Sequence, residues 1–175
     1  MTIDTSLKFI PINIAVLTIS DTRTHDTDTS GAILEDRIIA AGHNFVKKEI
    51  IPDNVNLIKE KIKKLSNEED IDCIITTGGT GLTGRDTTPE AVIEIANKII
   101  EGFGELFRQV SYSKIGTSAI QSRALAALIN TTYVFCLPGS KGACKDGWDE
   151  ILKYQLDIRH RPCNFVEIMP RLNQK

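Results

Sequence analysis

Apolar positions fall along this chain in two alternating rhythms. Residues 13–20 (NIAVLTIS) form a nearly continuous apolar run with β-branched residues, which predicts a strand buried on both faces. Residues 30–41 switch to helical spacing: Ile33, Leu34 and Ile38 share a face, Ser30 stands as N-cap and Gly42 as the stop. Residues 44–51 (NFVKKEII) read as a second, more amphipathic strand. After the turn residues 52–54 (PDN), Val55, Ile58, Ile62 and Leu65 make one apolar helical stripe. Residues 71–77 (IDCIITT) form a third strand, followed by a glycine-rich stretch. Helices are expected over 89–100, 102–116 and 117–129. Residues 132–138 (TYVFCLP) predict another buried strand, and 139–156 a loop that becomes a helix, with Trp148, Ile151, Leu152 and Leu156 inward.

Strands that are buried on both faces and alternate with helices predict an α/β domain. A mostly parallel sheet is covered by helices on both sides, with right-handed crossovers. The chain of 175 residues suits one such domain, residues 1–175, with no linker or repeat. In sheets of this kind, ligands bind at the carboxyl ends of the strands. The segments leaving those ends are 20–31, 51–54, 77–88 and 137–143, all rich in Gly, Ser, Thr, Asp or Lys. Together they predict a polar cleft along one edge.

Composition narrows the function. A hydrophobic fraction of 41% supports a core without disulfide or metal staples, and a net charge of −2 gives no basic footprint for nucleic acid. The lysines of 59–65 (KEKIKKL) lie on the polar side of their helix and read as a solvated face. No run of about 18 apolar residues suggests a membrane span, and residues 1–17 lack the basic start of a signal peptide. The four cysteines have no CxxC spacing and the three histidines are scattered, which argues against a zinc site or disulfide framework. Cys73 and Cys136 sit in apolar runs and read as core. The expected location is cytoplasmic.

The stretch 75–91 (ITTGGTGLTGRDTTPEA) carries the chemistry. Gly79, Gly81 and Gly84 have the spacing of a dinucleotide fingerprint, but the helix starts later, at Thr88 as N-cap with Pro89 in the first turn. Gly79 and Gly84 also bracket four residues as in a P-loop, yet Arg85 and Asp86 replace its Lys and Ser/Thr. What remains is a nest. Backbone N–H groups of Gly78, Gly79, Thr80 and Gly81 can approach an anion closely, and a helix N-terminus adds partial positive charge. Thr77 adds a hydroxyl. Asp86 would repel a bare phosphate and makes sense beside a divalent cation.

In combination the motifs resemble the MoaB/Mog family of molybdenum-cofactor biosynthesis proteins. They are LTISD (17–21), DTSG (28–31), TTGGTGLTGRDTTPEA (76–91), GFGELFR (102–108), GTSAIQSRA (116–124), LPGS (137–140) and RPCNF (161–165). They are collinear and cover nearly the whole chain, and RPCNF favours the MoaB branch. The resemblance implies a three-layer α/β/α fold and a homotrimer, or a hexamer built from two trimers. It also implies adenylylation of molybdopterin by ATP: the pterin's terminal phosphate attacks the α-phosphate of ATP and pyrophosphate leaves.

Two aspartates matter in that family, one at GRD (Asp86) and one at IPD (Asp53), and both are present. They are the expected catalytic residues and magnesium ligands. Ser20, Asp21 and the loop to Ser30 would line the nucleotide end; Ser118, Ser122 and Arg123 would meet substrate; Pro138, Gly139 and Ser140 would shape the pterin pocket, with Lys141 reaching phosphate. Positioning and electrostatics would do most of the catalysis. The competing reading is a non-catalytic molybdopterin-binding or scaffold homologue of the same fold.

Overall fold

The computed structural model describes residues 2–173. A six-stranded sheet forms its centre, built from β2 (Asn13–Ile19), β3 (Asn44–Ile51), β4 (Cys73–Thr77), β5 (Lys98–Ile99), β6 (Leu125–Ile129) and β7 (Thr132–Leu137). The spatial order is β3-β2-β4-β7-β6-β5. The three pairings among β3, β2, β4 and β7 are parallel, and the two that add β6 and β5 are antiparallel. A two-stranded ribbon, β1 (Thr2–Ile3) against β8 (His160–Arg161), lies apart from it.

Period-two alternation along the strands feeds two cores. Ile14 and Val16 point to one face, where Leu34 and Ile38 of α1 (Thr29–Ala40), Phe103 and Phe107 of α4 (Glu101–Ile115) and Cys144 of α5 (Lys141–Gly147) pack. Ala15 and Leu17 point to the other, against Ile58, Ile62 and Leu65 of α2 (Val55–Ser66) and Val92 of α3 (Thr88–Ile95). The result is the three-layer α/β/α arrangement. Cys73 and Cys136 are fully buried, as their apolar neighbours predict, and Trp148, Ile151, Leu152 and Leu156 face inward. Among the described residues no helix is long and apolar enough to cross a membrane.

Four local expectations need correction. The cap of α1 is Asp28, not Ser30: the Asp28 carboxylate accepts from Gly31 N at 2.9 Å and from the Thr18 hydroxyl at 2.7 Å. Ser30 is already inside the helix. At α3, Thr87 holds the cap position without a side-chain bond; Thr88 is the first helical residue and its hydroxyl turns back to the Gly78 carbonyl at 3.0 Å. That helix stops at Ile95 rather than 100, and Lys98–Ile99 becomes an edge strand on β6.

The fourth correction is the largest. Residues 117–129 are not a helix but a 3-10 segment, Gly116–Gln121, followed by β6. A short apolar run such as 124–129 (ALAALI) fits a buried strand and a buried helix equally. The deciding feature is Asn130, at φ 55°, which opens a two-residue turn between Ile129 and its partner Thr132. Asparagine tolerates this left-handed conformation, and the hairpin adds β6 antiparallel to β7.

Candidate functional site

The parallel strands β2, β3, β4 and β7 bring their carboxyl ends to one edge, and backbone bonds tie the loops together there. Ser20 N donates to the Ile51 carbonyl at 2.9 Å, and Gly78 N to the Leu137 carbonyl at 3.0 Å. Asp21 and Asp53 exchange bonds: Asp21 N donates to Asp53 Oδ2 at 3.2 Å, and Asp53 N to Asp21 Oδ1 at 3.3 Å. The loops after β4 and β7 touch closely enough that a Cβ on Gly139 would lie 3.2 Å from the Gly78 Cα.

Glycine is required at the start of the loop after β4. Gly78 and Gly79 have φ of 106° and 63°. A Cβ on Gly78 would sit 2.2 Å from the Ile19 carbonyl oxygen, and one on Gly79 would sit 2.3 Å from the Thr88 hydroxyl. Thr88 anchors both residues, donating from N to the Gly79 carbonyl and from Oγ1 to the Gly78 carbonyl, each at 3.0 Å. Farther along, Asp86 Oδ2 accepts from Thr83 N at 2.9 Å and from the Thr83 hydroxyl at 2.6 Å.

Arg123 closes the loop from behind. Its Nε donates to the Gly81 carbonyl at 2.8 Å, Nη2 donates to the Asp86 carbonyl at 2.7 Å, and Nη1 pairs with Glu90. Carbonyls held on that side turn the N–H groups of the same peptide units away from it. Among the described residues, no protein acceptor reaches the N–H of Gly79, Thr80 or Leu82. Backbone donors left open in a left-handed glycine loop are the elements of an anion nest.

The loop opens on a cavity of about 490 Å³. Of the residues expected at the site, Gly78, Gly79, Thr80, Gly81, Asp86, Ser118, Ser122, Pro138, Gly139 and Ser140 line it. The Ser140 hydroxyl also caps α5, accepting from Ala143 N at 3.1 Å. Asp53 and Asp21 stand beside this cavity rather than in its wall; Asp53 Oδ1 lies 3.1 Å from where a Cβ on Gly79 would be.

Three other expected residues have internal partners. Ser30 is buried in the first turn of α1, with its hydroxyl toward Asp28. The Thr77 hydroxyl donates to the Pro138 carbonyl at 3.2 Å and meets Cys144 Sγ at 3.1 Å, joining the two loops from inside. Ser20 Oγ accepts from Thr22 N and Arg23 N, both at 3.2 Å, and so shapes its own loop. Lys141 is exposed at the start of α5.

Sequence reasoning missed part of the wall: Phe107, Ser111 and Ile115 of α4, Gln121, and Asp146 of α5. The helical spacing of 107, 111 and 115 puts these three on one face of α4, which was a signal available in the sequence.

The two central aspartates differ electrostatically. Burial, then the charge of Asp21, pushes the Asp53 carboxyl above its ordinary value. Asp86 is held below its ordinary value, chiefly by the Thr83 hydroxyl bond. Arg85 pairs with Asp21 across the mouth of the loop. Among the described residues, no three His, Cys, Asp or Glu groups converge as a metal cage. Magnesium does not need such a cage when it arrives with phosphates, because one or two carboxylates suffice. Asp53 suits that role: no donor among the described residues reaches its Oδ1, and its charge is poorly compensated.

Residues 15–158 match the model of a family described as "Probable molybdopterin binding domain". Molybdenum cofactor biosynthesis protein B of Escherichia coli strain K12 is 45% identical over 160 residues, 91% of this chain and 94% of that protein. The protein of the same name from Bacillus cereus is 43% identical over 142 residues, 81% of this chain and 84% of that one. A crystal structure of molybdenum cofactor biosynthesis protein B superimposes with a TM-score of 0.85 at 38% identity, covering 95% of this chain and 98% of that one. With the glycine nest, the three-layer fold and these matches in agreement, the chain belongs to the MoaB/Mog family of molybdopterin-binding domains.

Proposed function

We propose that the protein acts in molybdenum cofactor biosynthesis as a magnesium-dependent molybdopterin adenylyltransferase. One observation carries the reading: open backbone donors in a left-handed glycine loop, at the carboxyl edge of the sheet, facing a cavity of about 490 Å³. That cavity is within the ordinary size range for a small-molecule site. An oxygen of the pterin's terminal phosphate attacks the α-phosphorus of ATP. A new P–O bond forms, the bond to the β-phosphate breaks, and pyrophosphate leaves.

Most of the work left to the protein is positioning. The N–H groups of Gly79, Thr80 and Leu82 hold phosphate oxygens in fixed directions, and α3 behind the loop adds the field of its N-terminus. Asp53 and Asp86 would hold magnesium. When bound, that ion offsets phosphate charge and stabilises the leaving pyrophosphate. Asp86 is kept ionised and oriented by Thr83. No side-chain base is required, because the attacking phosphate is already an anion.

The test is pyrophosphate release by purified protein supplied with ATP, molybdopterin and magnesium. Release dependent on all three supports the transferase. Tight pterin binding without release would instead make the protein a non-catalytic binder of the same fold.

A further inference from the structure

The cavity has a second polar end that the phosphate chemistry does not use. Asp146 lies in its wall, on α5, six residues beyond the cap Ser140. At about 1.5 Å of rise per residue, that is roughly 9 Å along the helix from the loop that touches Gly78. The Asp146 side chain is only 23% exposed. Among the described residues its carboxylate accepts no hydrogen bond. The cation facing it is Lys114, at 3.7 Å, beyond hydrogen-bond length and shared with Glu150 at 3.8 Å. The same wall carries Phe107, Ser111 and Ile115 of α4.

The cavity is therefore polarised. Open donors stand at the glycine loop, and a carboxylate that accepts no hydrogen bond among the described residues, with Lys114 3.7 Å away, stands at the α5 end. A partly buried carboxylate in this state is incomplete, because a carboxylate can take a planar two-donor partner in bidentate fashion. The matching ligand is a flat heterocycle with a phosphate at one end and two adjacent N–H donors at the other.

We propose that Asp146 reads the donor edge of the pterin ring, formed by the 2-amino group and the adjacent ring N–H, and so sets selectivity for 2-aminopterins over their 2-oxo analogues. This rests on the pterin reading of the cavity. A 2-oxo ring presents a carbonyl where the amino group would donate, leaving one carboxylate oxygen facing another acceptor. Sites that hydrogen-bond a ligand group reject analogues lacking it far more strongly than apolar pockets reject a missing methylene.

The test compares binding of 6-hydroxymethylpterin and 6-hydroxymethyllumazine to wild type, Asp146→Asn and Asp146→Ala, by fluorescence titration at pH 6.5. Wild type is expected to prefer the pterin by about tenfold or more. Both variants should bring the two affinities within about twofold, chiefly by weakening the pterin, while melting temperatures stay close to wild type. A preference that survives in both variants overturns the role of Asp146, even where wild type releases pyrophosphate with molybdopterin. Failure of wild type to bind either heterocycle, with pyrophosphate still bound, overturns the pterin reading of the cavity and the role of Asp146 together. A variant that melts far below wild type is replaced in the comparison by the other.

Discussion

Replacing Arg123 with alanine removes the brace behind the glycine loop, and the structure sets the size of the effect. Two charged donors leave carbonyl acceptors, those of Gly81 and Asp86, at 2.8 and 2.7 Å. Hydrogen bonds to charged groups contribute about 1.5–3 kcal/mol each. The Arg123 side chain is 29% exposed, so water reaches the vacated carbonyls and recovers part of that. The Glu90 partner is 53% exposed and adds little. A net loss of about 2 kcal/mol follows, which for a domain of this size lowers the melting temperature by roughly 4–8 °C. The loss should be local as well as global. Without the brace, the open N–H of Leu82, which shares a peptide plane with the Gly81 carbonyl, loses its fixed orientation relative to that of Thr80, which Thr88 still holds. Pyrophosphate binding, followed by calorimetry with magnesium, is expected to weaken about tenfold or more. Arg123→Lys, which keeps the charge but cannot fork to two carbonyls, should recover less than half of the lost binding energy. A variant that melts within 1 °C of wild type and binds pyrophosphate equally well would refute this account of the loop.

Three further outcomes follow from the same geometry. Gly78→Ala places a Cβ 2.2 Å from the Ile19 carbonyl at a φ of 106°; a loss of about 3 kcal/mol or more is expected in urea unfolding. Asp53 titrates above the ordinary carboxylate value of 3.8, so its ionised form opposes folding, and its stabilising protonated form is lost as pH rises through the raised value. Asp53→Asn should therefore unfold at higher urea than wild type at pH 7, with the gap closing as pH falls toward 4, while turnover collapses. Asp28→Ala removes a buried cap and the partner of the Thr18 hydroxyl; about 1–2 kcal/mol or more should be lost, measurable as a lower melting temperature.

Much of this site was legible in the chain because its logic is local. Gly78, Gly79 and Asp86 lie within nine residues of one another, and a buried strand before them fixed which edge of the sheet they reach. The strand-end rule then brought Asp53, Gly139 and Ser140 to the same place from distant parts of the sequence. What was not legible depended on partners far along the chain. Arg123 braces the loop only because 125–129 is a strand beside β7, and the apolar run there gave no period that separated strand from helix. Thr77 and Ser30 carry hydroxyls that suit a binding site, yet these point inward to Pro138 and Asp28. Asp146 carries no motif; its place in the cavity comes from the packing of α5 across from α4.

The transferase activity is decided by transfer of label from [α-³²P]ATP to molybdopterin, with and without magnesium, by wild type and Asp86→Ala. Labelled pterin that forms only with magnesium, falling by about two orders of magnitude or more in a folded Asp86→Ala protein, is the predicted result. Wild-type protein that binds molybdopterin and ATP yet transfers no label, or a variant that transfers it at the wild-type rate, would contradict it.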